Sequence, residues 1–176
     1  GTDSLSSILM TSSNIHLLEQ GLALLAVIDD QPFAQAPKGI AQSGVGGHLR
    51  HCLDFYDSFL RGVGEGKIDY DCRERNVLIE KDRAAAATKI ESIIRRLGEL
   101  RTANGEQPLL VKLEGEQAGE AAAWSHSSIS RELQFLLSHT VHHYALMAML
   151  LRVQGVELPP EFGVAPSTLK YWRAKA

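Results

Sequence analysis

The sequence predicts an all-α fold: a four-helix bundle that carries a short irregular or hairpin insertion and ends in a short C-terminal helix. Three observations lead to this prediction. Apolar residues recur at helical spacing in four long stretches of the chain. Glycine and proline are concentrated between these stretches, where they end helices. The 176 residues show no linker or internal repeat, so residues 1–176 are expected to form a single domain around one core.

The first predicted helix covers residues 5–29, where the apolar residues fall on one stripe. The stripe consists of Ile8, Leu9, Ile15, Leu18, Leu22, Leu25 and Ile28. The helix is expected to end at the Asp-Asp-Gln-Pro sequence of residues 29–32, because proline lacks the N–H group that a helix interior needs.

The second predicted helix covers residues 43–60, with Ser43 as a candidate N-cap and three glycines in its first turn. Glycine there does little harm, or lets another backbone approach closely. A glycine-rich turn can also bind phosphate, but no strand precedes this one and no Lys-Ser/Thr pair follows it, which makes that interpretation weak. His48, His51, Cys52, Phe55 and Phe59 share one broad side of the helix. His51 is therefore expected to face inward.

The third predicted helix covers residues 77–104, and a less regular segment lies on each side of it. Residues 67–76 are rich in charge, and their composition alone favours a solvated loop. Residues 108–127 begin with strand-like alternation and are predicted to form a short hairpin or an irregular crossover.

The fourth predicted helix, residues 130–154, has no proline or glycine and is rich in residues that favour helices. A short terminal helix is predicted near residues 167–173. His139 and His143 lie one helical turn apart on the same face, so both can point at one metal ion. On spacing alone, His142 can take the place of His143.

Histidine clustering is the most informative feature of the composition. Five of the seven histidines fall in the second and fourth helices: His48, His51, His139, His142 and His143. Zn²⁺ and similar divalent cations bind neutral imidazole, and a catalytic site of this kind uses three protein ligands and an open position. Three neutral ligands would keep the full charge of the ion, which would favour an anionic ligand and lower the pKa of a bound water or thiol. On spacing alone, hydrogen-bonded core histidines explain the pattern equally well.

Charge and composition argue against several classes of protein. A formal net charge of -3 argues against binding to nucleic acid through phosphate contacts. The two cysteines, Cys52 and Cys72, are expected to be free thiols in a reducing cytosol. No apolar run reaches the roughly 18 residues of a membrane span. The first residues lack the pattern of a signal peptide, so a cytoplasmic location is expected.

Four segments of the chain resemble the DinB/YfiT-like superfamily of metalloenzymes. They are SGVGGHLRHCLDFYD at residues 43–57, IDYDCRERN at 68–76, SRELQFLLSHTVHHYALM at 130–147 and FGVAPSTLKY at 162–171, in the order that the family shows. The resemblance implies a four-helix bundle of up-down-down-up topology, often a homodimer, that holds one divalent ion, Zn²⁺ or Ni²⁺, on three histidines.

The same resemblance implies which histidines are the ligands. His51, in the sequence HCLD, matches the ligand of the second helix, and His139 and His143 match the HxxxH motif of the last bundle helix. His48 and His142 are additional histidines, which either support the ligands or take no part in the site.

The charged segment at residues 68–76 resembles one found in a branch of the family, where it would close over the mouth of the bundle. Asp71, or alternatively Asp69, would then accept a proton or orient a ligand histidine. Arg73, or alternatively Arg75, would bind a substrate carboxylate through its guanidinium group. A salt-bridged structural loop is an equally good interpretation of this segment.

By resemblance, the function expected first is that of an enzyme acting on a small-molecule substrate. Relatives in the superfamily use a low-molecular-weight thiol to transfer sulfur to electrophiles or to isomerise an unsaturated diacid. The Arg-Gly-Gln sequence that often follows the last histidine is replaced by Tyr144, Ala145 and Leu146, which cautions against copying any one activity. The alternatives are a non-catalytic, stress-associated metal-binding dimer and a metal-free helical protein.

Overall fold

The structure is a computed structural model that describes residues 2–100, 103–112 and 124–176, with side chains described from residue 8 onward. These residues form seven α-helices, three β-strands and a 3₁₀ turn, Val63–Glu65. The helices are α1 (Thr2–Val27), α2 (Asp30–Ala34), α3 (Val45–Gly62), α4 (Val77–Lys81), α5 (Arg83–Glu99), α6 (Ile129–Val153) and α7 (Pro166–Lys175). The strands are β1 (Lys67–Asp69), β2 (Pro108–Lys112) and β3 (Ser125–Ser128).

The four long helices pack around one core. Helices α1 and α3 each lie against both α5 and α6. The core includes the fully buried side chains of Leu18, Leu53, Tyr56, Ile90, Leu133 and Leu136. Helices α3 and α6 run antiparallel, because His48 near the start of α3 contacts His143, whereas Phe55 further along contacts Phe135 near the start of α6. This crossing brings the first turns of α3 against the middle of α6.

A three-stranded mixed sheet packs against α3 through β1 and against α6 through β3. Strand β1 is parallel to β2, with Ile68 opposite Val111, and β2 is antiparallel to β3, with Leu110 opposite His126. The prediction of an all-α four-helix bundle is therefore wrong. Strand β1 was missed because three residues are too few to show alternation, and its hydrogen-bonding partner lies far away in the chain.

Strands β2 and β3 both fall within residues 108–127, where the sequence predicted a hairpin or a crossover. Residues 113–123 of that prediction lie outside the described residues.

The helix predicted over residues 77–104 is interrupted at Asp82, so that prediction is wrong in its extent. Asp82 has extended backbone angles, and its carboxylate accepts hydrogen bonds from the backbone N–H groups of Ala84 and Ala85 at 2.9 and 3.2 Å. Its own backbone N–H donates to the carbonyl of Leu78 and closes α4. As an N-cap, Asp82 starts α5 in a new direction, because its side chain satisfies donors that otherwise lack a partner.

Close packing between α3 and α4 requires glycine at position 46. A Cβ atom on Gly46 would collide with the backbone carbonyl of Glu80 in α4. The glycine-rich start of α3 therefore allows a second backbone to approach, which was one of the two interpretations of these glycines.

Within the described part of the chain, no helix combines the length and the apolar character needed to cross a bilayer.

Candidate metal centre

Three histidines from two helices converge where α3 crosses α6. His51 comes from α3, and His139 and His143 come from α6. One ring nitrogen of each lies within 4.8 Å of the corresponding nitrogens of the other two. Nε2 of His51 and Nε2 of His139 are 3.2 Å apart. All three rings are half-buried, so a small ligand can reach them.

The spacing of these nitrogens fits a divalent metal ion. Imidazole nitrogen binds Zn²⁺ at about 2.0–2.1 Å in tetrahedral geometry, which places two ligand nitrogens roughly 3.3 Å apart. The distance between the Nε2 atoms of His51 and His139 is close to this value. His143 has its ring centroid 4.7 Å from that of His51 and 4.6 Å from that of His139. The residues present can hold a divalent ion.

Aromatic side chains form one wall of the centre. The ring of Phe55 lies 4.9 Å from that of His51 and 4.3 Å from that of His139, centroid to centroid. Tyr70 stacks on Phe55 at 5.2 Å, and Phe135 stacks on His139 at 5.8 Å. This wall keeps water from one side of the histidines, which strengthens electrostatic interactions there.

Burial favours the neutral form of His139 and His143. Burial, followed by the charges of nearby histidines, lowers the pKa of His139 to about 4 and that of His143 to about 3. Burial and then His142 lower the pKa of His48. Imidazole binds a metal only in its neutral form, so at neutral pH these rings need lose no proton before they bind an ion.

The two additional histidines occupy different places. Nδ1 of His48 lies 3.0 Å from Nδ1 of His143, and the rings are tilted by 43°. His142 is exposed and meets His143 edge-on, at 5.1 Å between centroids. Among the described residues, the group with metal-ligand spacing consists of the three histidines named by the resemblance and includes neither of these two.

Arg73 reaches the centre from the segment between β1 and α4. Its Nη1 lies 3.2 Å from Nδ1 of His51, and its guanidinium group sits over the ring of Phe55 at 5.3 Å. The structure thus brings Arg73 to the histidines, as the catalytic prediction for this residue requires. Its role towards a substrate stays a prediction.

Asp71, predicted as a proton acceptor, is exposed. Its backbone N–H donates to the carboxylate of Asp69 at 3.0 Å. Within the described residues, no hydrogen bond joins the carboxylate of Asp71 to a histidine of the centre. A catalytic role for Asp71 also stays a prediction.

The contacts of His51 and His139 fix where their protons lie when no metal is bound. Arginine can only donate, so Nδ1 of His51 accepts from Arg73 and Nε2 of a neutral His51 carries the proton. That Nε2–H donates to Nε2 of His139, which leaves the proton of His139 on Nδ1. Nδ1 of His139 is buried and has no hydrogen-bond partner among the described residues.

A carboxylate, Glu132, lies in the first turn of α6. In the structure it is buried and accepts hydrogen bonds from the hydroxyls of Tyr70 at 2.8 Å and Ser127 at 2.6 Å. Burial and then the Glu132 carboxylate raise the pKa of Tyr70. Glu132 therefore joins α6 to the sheet, a contact that could not be found before β1 and β3 were known.

A cleft of about 850 Å³ lies on a different face of α6. Its lining includes Arg131, Gln134, Phe135 and Ser138 from α6, and Pro166 at the start of α7. Phe135 stands between this cleft and His139, and none of the three histidines lines it.

Fold and site together define a mostly helical protein with a small mixed sheet and a candidate three-histidine metal centre. The chain is similar to "FK506-binding protein 5" of Rhizopus delemar, with 33% identity over 104 residues. The alignment covers 59% of this chain and 27% of the Rhizopus protein, so the match spans about a quarter of that relative's length. No protein-family model matches the sequence. No solved structure matches it.

Proposed function

We propose that this protein is a divalent-metal-dependent enzyme in which His51, His139 and His143 hold the ion and a small electrophilic molecule is the substrate. The observation that carries the proposal is the convergence of three histidine nitrogens within 4.8 Å of one another. The DinB/YfiT-like resemblance, which selects the same three histidines, supports it independently of the distances.

Charge favours an anionic ligand at this centre. Three neutral imidazoles leave the ion its full positive charge, and the guanidinium of Arg73 adds a further positive charge beside His51. A divalent ion in this setting would lower the pKa of a bound water or thiol and so supply a nucleophile at neutral pH. By resemblance, that nucleophile is a low-molecular-weight thiol.

Arg73 is the residue of this chain best placed to orient the substrate. It belongs to the segment that reaches the centre from the end of β1, and its fork of donors matches a carboxylate. We therefore expect the electrophile to carry a carboxylate. The Arg73→Lys variant should raise KM for such a substrate more than it lowers kcat, because lysine keeps the charge and loses the bidentate geometry.

A non-catalytic metal-binding dimer is the alternative. It needs the same three histidines and neither the thiol nor Arg73. The name of the Rhizopus relative says that it binds FK506, and this applies to that protein. FK506 binding is not carried over to this chain, because the alignment covers 27% of the relative.

Metal content tests the proposal directly. Purified protein would be offered Zn²⁺ or Ni²⁺, dialysed and subjected to elemental analysis. Wild type should retain about one ion per chain, as expected for a single three-histidine site, and His143→Ala should lose it. His142→Ala is the matched control, because His142 adjoins His143 but is exposed and lies outside the ligand group. Wild-type protein that stays empty would overturn the proposal.

Activity then separates the enzyme from the non-catalytic alternative. The loaded protein would be screened for consumption of small thiols in the presence of carboxylate-bearing electrophiles. Turnover that disappears in metal-free protein and in His143→Ala supports the enzyme. Stoichiometric metal without turnover for any thiol and electrophile pair would favour the alternative.

A further inference from the structure

His48 stands next to one ligand of the proposed centre and outside the ligand group. It lies in the first turn of α3, where its backbone N–H donates to the carbonyl of Gly44 at 3.1 Å. Its ring is half-buried, with Nδ1 3.0 Å from Nδ1 of His143. Two ring nitrogens at this distance form a hydrogen bond, in which one must donate and the other accept.

Metal binding determines the direction of this hydrogen bond. Because Nδ1 of His143 faces His48, Nε2 is the nitrogen that His143 has left for a metal ion. A neutral imidazole that gives the lone pair of Nε2 to an ion carries its proton on Nδ1. His143 must then donate and His48 must accept, with the proton of His48 on its own Nε2.

We infer that His48 is a positioning residue for the metal centre: it accepts the Nδ1–H of His143 and so fixes the tautomer and the ring orientation of that ligand. This inference rests on the proposed metal-binding function. Metal-binding histidines usually donate their second nitrogen to a carboxylate, a carbonyl or water. Here a neutral imidazole takes that place.

The second ring nitrogens of His51 and His139 have different surroundings from that of His143. Nδ1 of His139 is buried without a hydrogen-bond partner among the described residues. Nδ1 of His51 faces the guanidinium of Arg73, which can only donate. The hydrogen bond between His48 and His143 can thus persist when an ion binds.

Two substitutions of His48 separate its acceptor role from its bulk. His48→Leu fills similar space and offers no acceptor. His48→Asn places its amide oxygen close to where Nδ1 stood, so it can still accept from His143. We expect His48→Leu to weaken Zn²⁺ binding 10- to 100-fold in competition with a chelator, the loss typical of removing such a partner. His48→Asn should recover most of that loss, and His142→Leu should bind as wild type does.

Spectroscopy distinguishes a positioning role from direct ligation. The number of imidazoles around Zn²⁺, measured by X-ray absorption, should be three in wild type and in His48→Leu. Four imidazoles in wild type and three in His48→Leu would make His48 a ligand and overturn the inference. In Zn²⁺-loaded wild type, nitrogen NMR should show His48 protonated on Nε2 and His143 on Nδ1, and the reverse assignment would also overturn it.

The outcomes also separate this inference from the proposed function. If wild type binds no metal, the proposed function fails and the inference fails with it. If wild type binds about one ion and folded His48→Leu binds it equally tightly, the inference alone is overturned. Circular dichroism establishes which variants are folded. If His48→Leu does not fold, the Zn²⁺ affinities of His48→Asn and His48→Gln are compared instead. Wild-type affinity in His48→Asn together with weaker binding in His48→Gln would support the inference, because the longer side chain of glutamine moves the amide oxygen away from the Nδ1 position. Equal affinities of the two variants would overturn it.

Discussion

Nη1 of Arg73 lies 3.2 Å from Nδ1 of His51, the ring nitrogen that does not face His139. In the metal-free protein this is a good hydrogen bond, because Nδ1 accepts. With Nε2 bound to an ion, the proton of His51 would move to Nδ1, and two donors would then face each other. Arg73 therefore has to leave Nδ1 of His51 when the ion binds.

Arg73→Met is accordingly expected to tighten Zn²⁺ binding about tenfold, which corresponds to about 1.4 kcal/mol. The substitution removes both a competing hydrogen bond and a positive charge near the ion. Chelator competition measures the effect. Arg61→Met is the control, because Arg61 is also a cation but donates to the carbonyl of Cys72 in the same segment. Weaker binding in Arg73→Met would mean that Arg73 supports His51 in the loaded state.

Tyr56→Phe should lower the free energy of unfolding by about 1–2 kcal/mol. The hydroxyl of Tyr56 donates to Oδ1 of Asn14 at 2.6 Å and accepts from Thr140 at 3.2 Å, all in the interior. In the variant, the amide oxygen of Asn14 stays buried and no longer accepts a hydrogen bond from Tyr56. Urea denaturation measures the change, with Tyr171→Phe, at a position 55% exposed, as the control. Equal stabilities of the two variants would contradict the assigned network.

Arg96→Met should reduce stability at neutral pH by about 1–2 kcal/mol and make it less sensitive to acid. Burial of Asp57 opposes its ionisation, but the hydrogen bond from Arg96 at 2.8 Å and the charges of Lys89 and Arg96 outweigh it, so the pKa of Asp57 is lowered. A carboxyl whose pKa is lower in the folded state contributes stability that is present above its unfolded pKa and is lost as pH falls through the folded value.

Unfolding free energies measured between pH 7 and pH 2 test this prediction. Wild type should lose the contribution of Asp57 below about pH 4, the region of an unfolded aspartate. Arg96→Met should lose less over the same interval. A parallel pH dependence of the two proteins would show that the ion pair does not account for the lowered pKa.

Gly46→Ala and Gly98→Ala should have opposite effects. The added Cβ at position 46 meets the carbonyl of Glu80, and we expect a loss of about 1–3 kcal/mol. At position 98, in α5, nothing lies within 4 Å of the added atom, and alanine should stabilise the helix by about 0.5–1 kcal/mol. Thermal unfolding of both variants checks the pair, and a neutral Gly46→Ala would show that α4 can move away from α3.

The sequence predicts the convergence of the three histidines better than it predicts the fold around them. His139 and His143 lie in one uninterrupted helix, so their spacing alone places them on one face. His51 was expected to face inward from the periodicity of its helix, and the resemblance selected it as the third ligand. The inferences from spacing and periodicity need only local geometry, whereas the choice of His51 as the third ligand needed the resemblance.

The errors concern contacts between distant segments. Strand β1 exists because β2 pairs with it, and three residues carry no periodic signal of their own. The hydrogen bonds from Tyr70 and Ser127 to Glu132 could not be predicted, because both partners lie in segments whose position the sequence did not reveal. Asp82 was placed inside one predicted helix, whereas in the structure it caps α5, because its carboxylate accepts hydrogen bonds from backbone N–H groups.

The segment that carries Arg73 is held at both of its ends. At one end, just after β1, the hydroxyl of Tyr70 donates a hydrogen bond to Glu132. At the other end, α4 packs against α3 at Gly46. Arg73 can therefore exchange one partner for another by rotating its side chain, without opening the segment. Such rotations take picoseconds to nanoseconds, whereas loop opening takes up to microseconds. Uptake of the ion should thus be limited by diffusion and by the loss of its hydration water, with no slow gating step contributed by the protein.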